Sequence, residues 1–255
     1  MSIQKTLIIS YPNPDLDGYA CSFAYAELLN KTNKNAVGVA FGTPYVEVQY
    51  VLNNFEINPL ASGEDILLKN KNCSVIFLDE SSVSHLPPNI SPDQVVEIID
   101  HHMANEEEKF VNAKKQIEAV GSCATLVAER FAQSGLRPSR EAVILLYGAI
   151  VSSTVNFKNK VTTERDKVMA DWLLTLIDLP DDFVKNLFLS KSAVGDDLEQ
   201  ILYSDMKVVE LARVKVCIFQ LEISGVEKLL ENRKDEIMSI LKKKPRKSLF
   251  LRLFF

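Results

Sequence analysis

Apolar and polar positions along the first half of the chain predict strands separated by helices. Short apolar runs of the kind found in strands buried on both faces occupy residues 6–10, 36–41, 74–79 and 95–100. Helical periodicity fills residues 17–29 and 46–55. Strands that alternate with helices predict an α/β fold with a doubly wound, mostly parallel sheet.

The pattern then becomes helical and breaks once. Apolar residues recur with helical spacing at residues 120–131, 140–151 and 163–177. Residues 177–182 include Pro180 and interrupt this pattern. We therefore expect two domains, 1–188 and 189–255, of which the second is the smaller.

The second domain shows a shorter α/β pattern. Residues 214–222 predict a strand, and residues 226–243 predict a charged amphipathic helix. Residues 249–255 are apolar and strand-like, with nothing after them. This ending indicates either an ordinary terminal strand or a shortened chain.

Composition narrows the class of protein. Of the 255 residues, 25% are charged and 47% hydrophobic, as in an ordinary globular protein. The formal net charge of -5 argues against nucleic acid as the main partner, although metal ions can hold a small anion. No apolar stretch approaches the roughly 20 residues of a membrane helix, so we expect no membrane partner. The four cysteines match no zinc spacing, and we expect them to be reduced core residues of a cytoplasmic protein.

Metal-ligating side chains follow three of the predicted strands. The chain has only three histidines, and two of them stand together in the segment EIIDHH directly after a strand. The carboxyl ends of parallel strands meet at one edge of a sheet, where such folds bind ligands. The side chains brought to that edge are Asp15, Asp17, Asp79, Asp100, His101 and His102.

Such a cluster has both an ordinary and a chemical interpretation. Taken singly, an Asp-x-Asp in a loop is typical of a turn, and an aspartate after a strand is typical of a helix cap. Taken together, crowded carboxylates repel one another and are tolerated when a divalent cation lies among them. Oxygen ligands with an imidazole suit manganese or magnesium, and two such ions can activate water and clamp a phosphoryl group.

Longer motifs around these residues resemble one family. The segment YPNPDLDGYACSFAYAELL is similar to the first motif of the manganese-dependent (family II) inorganic pyrophosphatases, which belong to the DHH phosphoesterases. FLDESS and EIIDHH resemble the second and the name-giving motif, and GAIVSSTVNFKNKVTTERDKVMADWL resembles the last motif. EAVGSCATLVAERF resembles the glycine-rich segment that follows in the pyrophosphatases, and it is at least as similar to the same segment of exopolyphosphatases and prune-type members. Residues 195–236 look like the start of the DHHA2 accessory domain.

The resemblance implies a role for each matching residue. The metal ligands would be Asp15, Asp17, Asp79 and His101, with Asp79 bridging two ions. Asp100 would support the site from behind the ligands, and His102 would contact the electrophilic phosphate. Manganese is the implied metal, with magnesium or cobalt able to substitute, and a homodimer through the first domain is implied as well. The expected substrate contacts are Asn13 and Lys191, with an ordinary surface lysine as the alternative for Lys191.

The chain departs from the family at several positions. Tyr11 stands where the first motif has a histidine ligand, and Ser153 stands where the last motif has an aspartate ligand. Glu80 and Ser81 replace a His-Asn pair, and the accessory domain stops before the family's Arg-Lys-Lys cluster. Each ion would therefore lose one protein ligand, and the loss of the anionic one at position 153 weakens metal binding.

Two classes of function follow. The first is an enzyme that hydrolyses a phosphoanhydride bond, most simply pyrophosphate to two phosphates. A short-chain exopolyphosphatase is the alternative, and a nanoRNA or cyclic-dinucleotide phosphodiesterase comes third because the chain has no basic aromatic face. The second class is a degenerate member that binds phosphate compounds or a protein partner without efficient turnover, as Tyr11, Ser153 and the short C-terminus suggest.

Overall fold

The structure, a computed structural model, describes residues 5–69, 73–191, 198–204, 206–211, 214–222, 226–242 and 249–254. It divides into two units, Met1–Val184 and Lys185–Phe255. The assignment of domains to residues 1–188 and 189–255 stays a prediction. Within the described ranges, every helix is either too short or too polar to span a membrane.

The first unit contains a six-stranded parallel sheet in the order β3-β2-β1-β4-β5-β6. Its strands are β1 (Thr6–Ile9), β2 (Ala36–Ala40), β3 (Ala61–Ser62), β4 (Ser74–Leu78), β5 (Val95–Asp100) and β6 (Lys114–Ile117). The strand order reverses between β1 and β4, which makes the carboxyl ends of these strands a topological switch point. The predicted α/β fold with a parallel sheet is confirmed.

Helices flank this sheet. They are α1 (Leu16–Lys31), α2 (Val46–Asn54), α3 (Gly63–Lys69), α4 (Cys123–Ser134), α5 (Arg140–Ser153) and α6 (Glu164–Leu174). Three short 3-10 turns cover Val83–His85, Pro92–Gln94 and Glu107–Lys109. The apolar runs of β1 and β4 are buried, and α1 packs against α4 and α5. Burial of these strands on both faces explains why their sequences lack polar alternation.

The residues at the two ends of α4 explain why this helix begins later than the predicted 120–131. Ser122 lies just before the helix, where its side chain accepts a hydrogen bond from the Ala124 N–H. Gly135 follows the helix in the left-handed conformation, with φ of 68°. An N-cap serine and a C-terminal glycine are common helix boundaries. The apolar residue Val120 therefore belongs to the approach to the helix, and the predicted start was three residues early.

The second unit is smaller. It contains α7 (Phe183–Lys191, which begins in the first unit), α8 (Leu198–Ser204), β7 (Met206–Leu211), β8 (Val214–Glu222), α9 (Val226–Lys242) and β9 (Leu249–Phe254). β8 pairs antiparallel with β7 and parallel with β9. The predicted strand at 214–222 is confirmed, and the predicted helix at 226–243 is confirmed to Lys242, with a kink at Arg233. Leu198, Leu202, Phe219 and Ile237 form part of its core.

Candidate metal centre

Three neighbouring strands, β1, β4 and β5, place polar side chains at the switch point. β1 leads through a short loop to Asp15, β4 leads directly to Asp79, and β5 ends in Asp100. The Asp79 backbone N–H donates to the Ile99 carbonyl over 2.9 Å, which ties the end of β4 to β5. Asp79 has φ of 61°, an uncommon conformation for a residue with a side chain. The fold therefore holds this aspartate in a locally unfavourable geometry at the centre of the switch point.

Asp15 is the N-cap of α1. One of its carboxylate oxygens accepts from the Asp17 N–H at 2.9 Å and from the Gly18 N–H at 3.1 Å. Burial raises the pKa of Asp15 to about 6, and repulsion from Glu47 and Asp17 adds to this rise. The carboxylate is thus fixed by the helix and crowded by other acids, a combination that favours a nearby cation.

Asp17 lies in the first turn of α1 but caps a different helix. Its two oxygens accept from the backbone N–H groups of Cys123 and Ala124 at 2.9 and 2.8 Å. These groups open α4, and a helix N-terminus attracts negative charge. Asp17 is 2% exposed, so its position is set by the packing of α1 against α4.

His101 presents one nitrogen to these carboxylates. Its Nδ1 is 3.0 Å from the Val120 carbonyl oxygen, which only accepts, so Nδ1 carries a proton. Its Nε2 is 3.2 Å from Asp79 Oδ1 and 3.8 Å from Asp17 Oδ2. Burial lowers the pKa of His101, but the Asp79 and Asp17 carboxylates outweigh it and raise the pKa to about 11. A protonated ring can donate from Nε2 to Asp79, whereas in the neutral ring the Nε2 lone pair and the two carboxylate oxygens are placed to share one divalent cation.

The Asp79 carboxylate gives a direct test of whether a metal fits. Its Oδ1 is buried and has no hydrogen-bond partner of good geometry among the described residues. Burial, followed by repulsion from Asp17, raises the pKa of Asp79 well above its usual value. In an octahedral site with bonds of about 2.1 Å, neighbouring ligand atoms lie about 3 Å apart. The spacing of 3.2 Å between Asp79 Oδ1 and His101 Nε2 is of that size, so the residues fit a divalent cation.

Asp100 and His102 form a pair beside this cluster. Asp100 Oδ1 accepts from His102 Nδ1 at 2.8 Å and from the backbone N–H groups of His101 and His102, while Ser81 donates to Oδ2. Burial alone would raise the pKa of Asp100, but hydrogen bonds from His102 and Ser81 hold it below its usual value. The hydrogen bond to Asp100 in turn raises the pKa of His102 to about 9.

The His102 side chain is more exposed than that of His101. Its side chain is 50% exposed, whereas that of His101 is 15% exposed. Ligating atoms of Asp79, His101 and His102 can all lie within 4.8 Å of one another. Because Asp100 engages Nδ1 of His102, the remaining ring nitrogen is the one available to a metal or a substrate.

The two replaced ligand positions, Tyr11 and Ser153, lie against the cluster. The Tyr11 hydroxyl accepts from the Asp15 backbone N–H over 3.4 Å, which places it beside Asp15. The Ser153 hydroxyl donates to Asp17 Oδ2 over 3.2 Å. Burial, and then the charges of Asp15 and Asp79, raise the pKa of Tyr11 well above its usual value. Each departure therefore places a hydroxyl group beside an aspartate.

Asn13 and Lys191 are the two expected substrate contacts. The Asn13 side-chain oxygen accepts from the Thr43 N–H at 2.9 Å, and the Asn13 backbone N–H donates to the Phe41 carbonyl at 2.8 Å. Asn13 thus shapes the loop before α1. Lys191 ends α7, with its ammonium group 6.0 Å from the centre of the Phe188 ring. The roles of both residues in substrate binding stay predictions.

One buried acid near the cluster did not stand out in the sequence. Glu47 is 3% exposed, and its two oxygens accept hydrogen bonds from Leu16 and Ser152. It lies in the helical pattern of α2, where a glutamate is normally a solvent-facing residue. Its partners are 31 and 105 residues away in sequence, so no local signal could reveal them.

The chain matches one protein family and is similar to several known proteins. Residues 5–150 match the family model described as DHH family, N-terminal domain. A Methanothrix thermoacetophila protein named manganese-dependent inorganic pyrophosphatase is 29% identical over 239 residues, covering 92% of this chain and 75% of that protein. A Methanococcus jannaschii structure named for the family II inorganic pyrophosphatases aligns with a TM-score of 0.71 at 26% identity, covering 97% of this chain and 83% of that one. An exopolyphosphatase-related protein from Bacteroides fragilis shares the fold, with a TM-score of 0.61 at 17% identity over 94% of this chain and 71% of that one.

Proposed function

This chain belongs to the DHH family, and from that membership we propose that it is a metal-dependent hydrolase that cleaves inorganic pyrophosphate to two phosphates. Manganese is the proposed cofactor, with magnesium or cobalt able to substitute. The observation that carries the proposal is the buried Oδ1 of Asp79, which has no hydrogen-bond partner of good geometry among the described residues and lies 3.2 Å from Nε2 of His101. The similarity to a protein named manganese-dependent inorganic pyrophosphatase supports the choice of metal and substrate.

The residues that would hold the metal are Asp15, Asp17, Asp79 and His101. When bound, divalent cations supply Lewis acidity to a phosphoryl group and lower the pKa of a water molecule. The protein fixes its ligands in advance, because α1 and α4 hold Asp17 while Val120 orients His101. A site arranged before binding loses little free energy in ordering its ligands.

His102 would act on the substrate. Asp100 accepts from Nδ1 of His102 over 2.8 Å and so directs the other ring nitrogen towards the exposed side. From there it can donate a hydrogen bond to a phosphoryl oxygen and stabilise the charge that develops during hydrolysis. Asp100 is therefore an orienting residue, whose fixed position depends on Ser81 and two backbone N–H groups.

The proposal also covers the kind of substrate, the cellular location, the oligomeric state and further substrate contacts. The net charge of -5 favours a small anion held through metal over a nucleic acid. The free cysteines suit a reducing compartment, so we include a cytoplasmic location. A homodimer formed by the first domain, and substrate contacts from Asn13 and Lys191, complete the proposal.

A second candidate function is binding without efficient turnover. The hydroxyl groups of Tyr11 and Ser153 lie against Asp15 and Asp17, where charged or imidazole ligands would bind a metal more tightly. A weaker metal centre lowers the rate of hydrolysis without preventing the recognition of phosphate compounds. The binding function therefore predicts slow or absent hydrolysis of the substrates that the hydrolase would cleave, and the same substrates test both functions.

Phosphate release distinguishes these functions. The purified chain is incubated with pyrophosphate or tripolyphosphate and added manganese, with Asp79→Asn as the matched control. The hydrolase predicts metal-dependent release from pyrophosphate by the natural chain and background release by Asp79→Asn. Faster release from tripolyphosphate would favour the exopolyphosphatase alternative. No release at high enzyme and manganese concentrations would overturn hydrolysis and leave the binding function.

A further inference from the structure

Glu47 connects two segments that carry the metal centre. Its Oε1 accepts from the Leu16 N–H at 3.1 Å, and its Oε2 accepts from the Ser152 hydroxyl at 2.6 Å. Leu16 stands between Asp15 and Asp17 at the start of α1. Ser152 precedes Ser153 at the end of α5. One carboxylate in α2 thus joins the start of one helix to the end of another.

The local chemistry explains why a carboxylate serves here. The first N–H groups of a helix have no partner within the helix. In α1, Asp15 satisfies those of Asp17 and Gly18, while Glu47 satisfies that of Leu16. With 3% exposure, Glu47 is shielded from water, which strengthens both of its hydrogen bonds. The peptide between the two candidate ligands is therefore fixed by a residue outside the ligand set.

The same connection reaches Asp17 from the other side. Ser152 is held by Glu47, and the next residue, Ser153, donates to Asp17 Oδ2 over 3.2 Å. Two hydrogen bonds, from Ser152 to Glu47 and from Ser153 to Asp17, therefore connect the end of α5 to the start of α1. Movement of either segment would change the position of this carboxylate.

From these contacts we infer that Glu47 is a positioning residue for the metal centre, acting through the Asp15–Asp17 turn and through Ser152. This inference rests on the proposed function, because it concerns the metal that the hydrolase would bind. Glu47 holds the backbone that carries the ligands and does not itself bind the ion. Residues that orient ligands in this way commonly change metal affinity by about 10- to 100-fold when they are removed.

The chain supplies a matched control. Glu27 in α1 accepts from the Ser139 N–H at 2.7 Å and from the Ser139 hydroxyl at 2.5 Å, next to the start of α5. It therefore joins the same two helices by the same kind of hydrogen bonds, but at their opposite ends. Loss of either glutamate weakens the packing of α1 on α5, whereas only loss of Glu47 should disturb the metal ligands.

The experiment compares Glu47→Ala, Glu47→Gln and Glu27→Ala with the natural chain. Isothermal titration calorimetry with manganese chloride alone gives the metal affinity, and thermal unfolding without metal gives the stability. Glu47→Ala is expected to raise the Kd by about tenfold or more, and Glu27→Ala to leave it within about threefold, although Glu27→Ala also breaks an ion pair with Lys31. In Glu47→Gln the amide oxygen can accept from Leu16 and the NH2 group can donate to Ser152, so the Kd should stay within about threefold of the natural value.

Equal changes in Kd for Glu47→Ala and Glu27→Ala would overturn the inference, since both would then act only on the fold. Loss of affinity in Glu47→Gln as large as in Glu47→Ala would also overturn it, because charge and not position would be the cause. If Glu47→Ala does not fold, Ser152→Ala takes its place and should raise the Kd. A natural chain that binds no manganese would instead reject the proposed function on which the inference rests.

Discussion

The hydroxyl group of Ser153 donates a hydrogen bond to Oδ2 of Asp17 over 3.2 Å. The same oxygen accepts from the Cys123 N–H and lies 3.8 Å from Nε2 of His101. Position 153 therefore borders the candidate metal centre directly, and a neutral donor there uses part of the ligating capacity of Asp17. A metal ion at this site has to compete with the hydroxyl group for that oxygen.

Ser153→Asp should strengthen metal binding. The new carboxylate would face Asp17 and add an anionic ligand, an interaction worth about 1.5–3 kcal/mol for a charged group. We expect a Kd for manganese lowered about tenfold or more, and a lower melting temperature without metal because two acids repel each other. Titration calorimetry and metal-free thermal unfolding measure both effects. Ser152→Asp is no suitable control because Ser152 binds Glu47, whereas Ser134→Asp at the end of α4 is.

Tyr11→His should have a similar effect at the other aspartate. The Tyr11 hydroxyl accepts from the Asp15 backbone N–H over 3.4 Å, so an imidazole at this position would offer a nitrogen ligand beside Asp15. Combined with Ser153→Asp, we expect a gain in pyrophosphate hydrolysis by orders of magnitude if the missing ligands limit the natural chain. Tyr11→Phe is the control, since it removes the hydroxyl without adding a ligand. No gain in the double variant would show that these positions do not limit the metal centre.

His102→Ala should separate substrate contact from metal ligation. His102 is held by Asp100 and is half exposed, whereas His101 points at the acidic cluster. We expect manganese affinity to stay within about threefold while kcat for pyrophosphate falls by about 10²- to 10⁴-fold, the usual loss on removing a proton-transferring or charge-stabilising group. A large loss of manganese affinity would show that His102 is a metal ligand, which its distance from Asp79 and His101 permits.

Gly18→Ala should destabilise the protein at the start of α1. An added Cβ would lie 2.8 Å from Ser10 Cβ and 3.4 Å from Asp79 Oδ2. Alanine favours a helix by about 1 kcal/mol over glycine, but overpacking costs about 1–3 kcal/mol, so we expect a net loss in denaturant unfolding. The control is Gly148→Ala, whose nearest contact is the flexible Leu16 Cδ2 at 3.2 Å and which should be better tolerated. Greater stability in Gly18→Ala would show that α1 has room to move.

The buried strands and the acids at their ends could be predicted because both follow from local sequence and one topological rule. The β-branched runs before Asp79 and Asp100 favour buried parallel strands, and parallel strands gather their carboxyl ends at one edge of the sheet. β6 was not predicted, because it is a polar strand at the edge of the sheet, with Lys114 and Lys115 exposed, and so has no apolar run. β3 has only two residues, too few for any pattern.

The supports of the site could not be predicted from the sequence. Val120 orients His101 through a backbone carbonyl, an interaction that no side chain encodes. The α4 N-terminus binds Asp17 only because two helices distant in sequence pack together. Glu47 depends on the same packing. Residue types therefore identify the candidate ligands, whereas tertiary structure decides what holds them.

Manganese uptake by the metal-free chain tests the central claim most directly. Free Mn²⁺ is counted by electron paramagnetic resonance while it is titrated into the folded natural chain and into Asp79→Asn. We predict saturable uptake by the natural chain and its loss in Asp79→Asn, because Oδ1 of Asp79 is the buried, unpartnered atom facing His101 among the described residues. Equal uptake by both proteins, or no uptake by a properly folded natural chain, would contradict a metal centre at this site.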